Sequence, residues 1–335
     1  MPRIVTFGEI MLRLSPPGHL RFGQATNLEV VYGGGEANVA VSLATLGLGS
    51  RYVTRLPANA LGDAARDGLR ARGVDTSQVV RGGERLGVYF LETGAAARGS
   101  RVIYDRAHSA MATIEPGMID WPGALAGADW FHWSGITPAL SRGAAEACAE
   151  AVEAARAAGL TVSVDLNYRS KLWDYGAAPA EVMPALVEHC DVVFAGEYDA
   201  RVCLGVEVGE AAGALPLMRA VHERFARVAV VATPLREGHS ASHHTYAAAL
   251  YDGERELTSR TYPLNPIVDR VGGGDAFAAG LIYGLLSYPG DRQRALDFAV
   301  AASCLKHTIP GDANLATVAE VEALLAGDGG GRVSR

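Results

Sequence analysis

Lysine is nearly missing from this chain. Of 335 residues only Lys171 and Lys306 carry an ammonium side chain, and arginine supplies the remaining positive charge. A phosphate loop of the GxxxxGK[ST] kind needs a lysine at a fixed place, and that pattern does not occur. No GxGxxG follows the first strand-like segment, which weakens any dinucleotide-binding reading. No GxSxG elbow is present, so Ser-His-Asp hydrolysis finds no support. Cys148, Cys190, Cys203 and Cys304 are scattered without CxxC or His spacing, which argues against a disulfide framework and a zinc site. No apolar run approaches the roughly 18 residues needed to cross a bilayer. The segment Arg3–Phe7 reads directly as a strand rather than a signal peptide. The expectation is a cytoplasmic protein with no membrane partner. A net charge of −7 argues against nucleic acid as the main partner.

What is present is a globular composition, 49% hydrophobic and 20% charged with 40 glycines, long enough for one large domain or two modest ones. Apolar strand candidates at Ile4–Gly8, Tyr52–Leu56, Trp130–Trp133, Thr161–Leu166, Val192–Phe194 and Val228–Ala232 alternate with alanine-rich helical stretches. Those are Glu36–Leu46, Ala64–Arg72, Gly143–Ala158, Glu181–His189 and Leu215–Phe225. Nearly continuous apolar strands alternating with helices predict an α/β fold, a doubly wound and mostly parallel sheet covered on both faces. In such sheets ligands lie beyond the carboxyl ends of the strands. Residues 10–34 and the hairpin-like 86–106 break the rhythm and read as a small projecting β-sheet. A second hairpin is expected at Thr245–Tyr251 and Arg255–Ser259, and a frayed tail at 327–335.

Residues 269–277, Asp-Arg-Val-Gly-Gly-Gly-Asp-Ala-Phe, are the most informative stretch. Gly272, Gly273 and Gly274 precede a helical pattern in which Phe277, Leu281 and Leu285 share a stripe. Their N–H groups converge on a helix N-terminus, which suits an anionic phosphoryl group. Asp275 is then placed to take a proton from an attacking hydroxyl; a plain N-terminal aspartate at a helix start is the alternative. Gly33, Gly34 and Gly35, between a strand and a helix, let backbone approach a polyol closely. Asn38, one turn on, both donates and accepts as sugar hydroxyls require. The role of Glu36 stays open. Tyr104 and Arg106 alternate onto one face of their strand beside Tyr89, and a guanidinium there suits a carboxylate-bearing substrate. The histidines His239, His243 and His244 read as a surface segment rather than a metal site.

Tyr32–Ala40, Asp165–Trp173 and Val271–Phe277 together resemble three signature segments of the ribokinase (PfkB) carbohydrate kinase family, in the family's order. The likeness spans about Ile4 to Leu325 and, through Glu36 and Asn-Tyr-Arg-Ser-Lys-Leu-Trp, is greatest to the 2-keto-3-deoxygluconate kinases. It implies a ribokinase-like core (1–9, 35–85 and 107–326) with a β lid (10–34 and 86–106). It also implies ATP, Mg²⁺ and a sugar or sugar acid as ligands, and a homo-oligomer formed through the lid. Carried over residue by residue, the resemblance makes Asp275 the base and Gly272–Gly274 the anion hole. Gly33, Gly34, Asn38, Tyr89, Tyr104, Arg106, Arg169 and Asp312 would meet the sugar. Asn167, Arg169, Thr233, Leu235, Gly238, Gly272 and Gly274 would meet the nucleotide, with Thr233–Gly238 as its loop. Asp269 would position the loop or a cation. Where the family usually shows Asn-x-x-Glu, this chain has Gly196-Glu-Tyr-Asp199, leaving Asp199 as the metal candidate through bound water. A fructokinase or another ketose kinase, and a sugar-binding regulator without turnover, are the alternatives.

Overall fold

The computed structural model describes residues 2–208 and 213–327, so most of the expected tail (328–335) lies outside the described residues. The chain opens with β1 (Arg3–Phe7), β2 (Met11–Ser15), β3 (Glu29–Gly33), α1 (Gly35–Thr45) and β4 (Gly49–Val53). Next come β5 (Arg55–Leu56), α2 (Ala60–Arg70), β6 (Val80–Arg81), β7 (Val88–Glu92) and β8 (Arg101–Asp105). The alternation continues through α3 (Trp121–Leu125), β9 (Trp130–Ser134), α4 (Ile136–Ala139), α5 (Arg142–Ala157) and β10 (Thr161–Asp165). It closes with α6 (Pro179–Val187), β11 (Val192–Phe194), α7 (Glu197–Leu204) and α8 (Ala214–Arg224). Four strands follow, β12 (Val230–Ser240), β13 (His243–Tyr251), β14 (Glu256–Thr258) and β15 (Tyr262–Leu264). The last described helices are α9 (Gly273–Ser287), α10 (Arg292–Lys306) and α11 (Val318–Leu325).

The main sheet runs β14-β13-β12-β11-β10-β9-β1-β4, with β15 also paired to β13. From β12 to β4 every neighbour is parallel. The period-2 alternation of strand side chains divides these strands between two cores. Phe7, Phe131, Trp133, Val162, Val164 and Val231 pack with α5, α6 and α8 on one face. Ile4, Trp130, Val192, Phe194 and Val230 pack with α1, α9 and α10 on the other. Burial on both faces is why these strands read as continuous apolar runs. The α9–α10 pair is close because Gly280 and Gly284 face Ala299 and Ala295, where an added methyl would come within 2.8 and 2.6 Å of the facing Cα atoms.

The two segments that broke the rhythm form a separate four-stranded sheet, β3-β2-β7-β8. Its inner face carries Met11, Tyr89 and Leu91. Val30, Ile103 and Tyr104 are exposed. The hairpin expected at 245–259 exists as β13 and β14.

One expectation is corrected. Thr233–Gly238 is no loop; it continues β12, paired antiparallel with β13 from Val231↔Tyr251 through Gly238↔His244. Pro234 and Gly238 suggested a break. The parallel partner β11 ends at Phe194↔Ala232, so beyond Ala232 the strand is an edge on that side, where proline's missing N–H is tolerated.

Candidate active site

The loops after β1, β9, β10 and β11 open at the carboxyl end of the parallel sheet, and the small sheet stands over them. Between the two lies a cleft of about 550 Å³ lined by Gly34, Gly35, Asn38, Tyr89, Tyr104, Arg106, Asp165, Asn167, Arg169, Asp199, Gly272–Asp275 and Asp312. The loop before α9 meets α1, the residues after β10 and the 309–314 segment there.

Asp275 sits in the first turn of α9 and accepts a 2.7 Å hydrogen bond from Asn38 Nδ2. Burial raises its carboxyl to about 6, against the opposing effect of the Asn38 bond and of Arg169. A carboxyl held there is ionised at neutral pH yet basic enough to accept a proton. The glycines before it are fixed by their neighbours. Gly272 has φ +80°, and a Cβ there would lie 1.7 Å from the Asp312 carbonyl oxygen. A Cβ on Gly273 would lie 2.5 Å from the His307 ring. At Gly274 nothing stands within 4 Å, so that position faces open space. The three glycines thus wrap tightly behind and open only toward the cleft.

Asp312 joins the two sheets. Its carboxylate accepts from Arg13 Nη1 at 2.7 Å and from the Tyr89 hydroxyl. A Cβ at Gly33 would lie 2.1 Å from that carboxylate, and a Cβ at Gly34 would lie 2.0 Å from the Glu9 carbonyl. Arg13 also reaches Asp269 at 2.8 Å. Asp269 in turn accepts from the Val271 and Gly311 amides at 3.0 and 3.1 Å, which shapes the glycine loop.

The cations divide into two sets. Arg106 is buried against Glu9, which takes its Nε at 2.9 Å and its Nη2, and Ser109 caps the same carboxylate. Nη1 is left for other partners, and the guanidinium lies 5.7 Å from the centre of the Tyr104 ring. Tyr104 and Tyr89 are themselves adjacent, their ring centres 5.9 Å apart. Arg169, Arg236 and Arg270 also line the cleft, and among the described residues none of them is in an ion pair. Burial and the nearness of Arg236 lower the Arg270 pKa, as expected of like charges gathered where an anion would relieve them.

A set of carboxyls faces them. Asp165, at the end of β10, is pushed up to about 8 by burial, then by Asp199 and Asp275. Burial also raises Asp199, in the first turn of α7. Glu36 is buried outside the cleft lining and is raised to about 7 by desolvation, although Ser134 Oγ donates to it at 2.5 Å. Asp165 and Asp199 line the cleft, and carboxylate oxygens are the ligand type a hard divalent cation or its bound water takes. Among the described residues no three His, Cys, Asp or Glu side chains form a group that could hold a metal ion by themselves.

The nucleotide residues fall differently from expectation. Asn167, at φ +39°, lines the cleft near Gly35. Thr233 does not reach it: its hydroxyl donates to the Ala195 carbonyl at 2.6 Å. Leu235 packs on the core, and Gly238 pairs with His244 far along the hairpin. Strand alternation instead presents Pro234 and Arg236 to the cleft. His239 and His243 lie side by side at the hairpin end, their rings tilted by 48° with centres 4.7 Å apart.

Residues 1–318 match the pfkB family carbohydrate kinase. The chain belongs to that family. This carbohydrate kinase is 36% identical to the 2-dehydro-3-deoxygalactonokinase of Haloferax volcanii, over 98% of each chain. It is 30% identical to the 2-dehydro-3-deoxygluconokinase of Thermoproteus tenax, over 97% of this chain and 94% of that one. The crystal structure of 2-dehydro-3-deoxygluconokinase from Thermotoga maritima superposes with a TM-score of 0.92 at 44% identity, covering 97% of this chain and all of that one. The parallel sheet with its separate small sheet is the fold of these kinases.

Sequence reasoning about this kinase passed over Glu9, Arg13, Asp165, Arg236, Arg270 and Lys306 as site residues. Arg13 and Asp312 are 299 positions apart, a pairing without a local signal. Asp165 stood inside a recognised segment, and its place at a strand's carboxyl end was signal enough.

Proposed function

We propose that this kinase transfers the γ-phosphoryl group of ATP to the terminal hydroxyl of 2-keto-3-deoxygluconate, giving the 6-phosphate. The observation that carries this reading is the Asn38–Asp275 pair at the mouth of the glycine loop, next to cations suited to a carboxylate. Asp275 takes the hydroxyl proton as the oxygen bonds to phosphorus and the bond to ADP breaks. The amides of Gly272–Gly274 hold the charge on the transferring group, each donor contributing about 2.7–4 kcal/mol to barrier lowering. Arg236 and Arg270 face the phosphates, with Asn167 and Arg169 between phosphates and sugar.

Mg²⁺ on the nucleotide would neutralise the phosphate oxygens, with Asp165 and Asp199 reaching its water. The sugar's carboxylate goes to Nη1 of Arg106, held in place by Glu9, and to Arg169. Tyr89, Tyr104, Gly33, Gly34 and Asp312 border the rest of the acceptor. The small sheet works as a lid that excludes water from the transferring group.

A second reading differs only at one sugar carbon: the 2-keto-3-deoxygalactonate epimer, favoured by the Haloferax volcanii relative. A panel of both keto-acids and fructose with MgATP, read as ADP release, decides between them. The reading expects the gluconate epimer to have the highest kcat/KM and fructose the lowest. A preference for fructose, or no ADP with any of the three, would overturn it.

The outer side of the small sheet, with Val30 and Ile103 exposed, is also proposed to bury itself against a second copy of the chain. Sedimentation should then give a mass above that of one chain at micromolar protein; a monomer at every concentration would refute it.

A further inference from the structure

Lys306, one of only two lysines in the chain, is completely buried at the end of α10. A buried ammonium is usually matched by a carboxylate within contact distance. Among the described residues Lys306 has none within 4 Å. Its Nζ donates instead to two backbone carbonyls, Asp269 at 3.3 Å and Ile309 at 3.1 Å. Those carbonyls belong to different loops. Asp269 begins the segment that becomes Gly272–Asp275, and Ile309 begins the segment that carries Asp312. The two loops touch again where the Asp312 carbonyl fills the space behind Gly272, and the Lys306 Cε lies 3.3 Å from the position of a Gly272 Cβ. The ammonium is therefore tucked under the anion-binding turn. Burial lowers its pKa, while Asp269, Asp312 and Asp275 favour the charged form.

We propose that Lys306 is a positioning residue for phosphoryl transfer: its ammonium, bonded to the Asp269 and Ile309 carbonyls, fixes the spacing of the glycine loop and the Asp312 loop and places a positive charge behind the Gly272–Gly274 amides. No mobile cation then has to be recruited to that spot, because carbonyl oxygens that would bind one are occupied by the side chain. The inference rests on the kinase reading above and extends it to a residue that touches neither sugar nor nucleotide.

Two variants separate this from a packing role. Lys306→Met keeps the stem and removes the charge. It should stay cooperatively folded while kcat falls by about 30-fold or more, the scale of losing part of a preorganised anion site, with sugar KM changed little. Lys306→Ala leaves room for a small cation. Methylammonium or ethylammonium should restore its kcat at least about tenfold, with saturation, whereas tetramethylammonium at equal ionic strength should not. Thermal unfolding followed in the same solutions reports packing and should not track the rescue. The unaltered enzyme should show the same kcat in sodium, potassium and ammonium chloride, a measurement that needs no variant.

A Met variant within twofold of the parent, a folded Ala variant deaf to amines, or a parent enzyme that depends on the monovalent cation would each overturn the proposal. If the parent releases no ADP with any acceptor, the kinase reading fails instead. Lys306 is then judged by calorimetry with MgADP: weaker binding by the Met variant supports the role, and equal binding refutes it.

Discussion

Asp275→Asn should leave a folded protein that still binds sugar and nucleotide but turns over at least about a hundredfold more slowly, the usual scale for losing a general base. The substitution is close to isosteric, so Asn38 and the first turn of α9 keep their shape. It also removes a desolvated charge, one whose burial already raises its proton affinity to about 6, so thermal stability should hold or rise. The loss should appear in kcat, with KM for the sugar within a few-fold, because deprotonation of the hydroxyl matters in the transition state rather than in binding. Steady-state kinetics with calorimetric titration of the sugar would check this. A variant with normal turnover refutes the assignment, and one that no longer binds sugar moves Asp275 from catalysis to recognition.

The second large effect concerns the glycine loop. Gly273→Ala would push a methyl to within 2.5 Å of the His307 ring. That ring is tied to the Ser303 carbonyl through Nδ1 at 2.7 Å, and Ser303 Oγ donates to the Gly273 carbonyl at 2.8 Å. The ring cannot step aside without breaking its own bond, so the loop must move and its amides lose their aim. The expected result is a drop in kcat of about 10²–10³, the cost of misplacing an oxyanion donor. Gly274→Ala is the informative contrast. Its methyl meets nothing in the protein and projects toward open space, so the backbone should stay put and the penalty should fall mainly on KM for the nucleotide. Equal kinetic behaviour of the two variants would show that His307 does not buttress the loop.

What could be read from the sequence was whatever rests on local pattern. The parallel sheet was legible because burial on both faces makes the strands nearly continuous apolar runs, as in Val192–Phe194. The small sheet could be seen because residues 10–34 and the hairpin-like 86–106 interrupt the alternation of strand and helix. The glycine loop was visible because three glycines and Asp275 precede a helical pattern, and the segments at Tyr32–Ala40 and Asp165–Trp173 weighed against a plain helix start. The extension of β12 past Ala232 was missed because Pro234 and Gly238 carry the same signal in an edge strand as in a loop. Arg106 was legible as a cation beside tyrosines, but not its burial against Glu9, 97 positions away. Lys306 did leave a trace. It is one of only two lysines in an arginine-rich chain, and it closes a helix whose other residues are mostly buried.

The pH dependence of kcat/KM, measured for the parent enzyme and for Asp275→Asn with the same acceptor, tests the central claim most directly. The base acts only when ionised, and its free-enzyme pKa is raised to about 6, so the parent's kcat/KM should fall as pH drops through about 6 and level off above it. The Asn variant's residual activity should lack that limb and run flat across the same range. An acid limb that survives unchanged in the variant would mean that another group takes the proton, and the account of this site would be wrong.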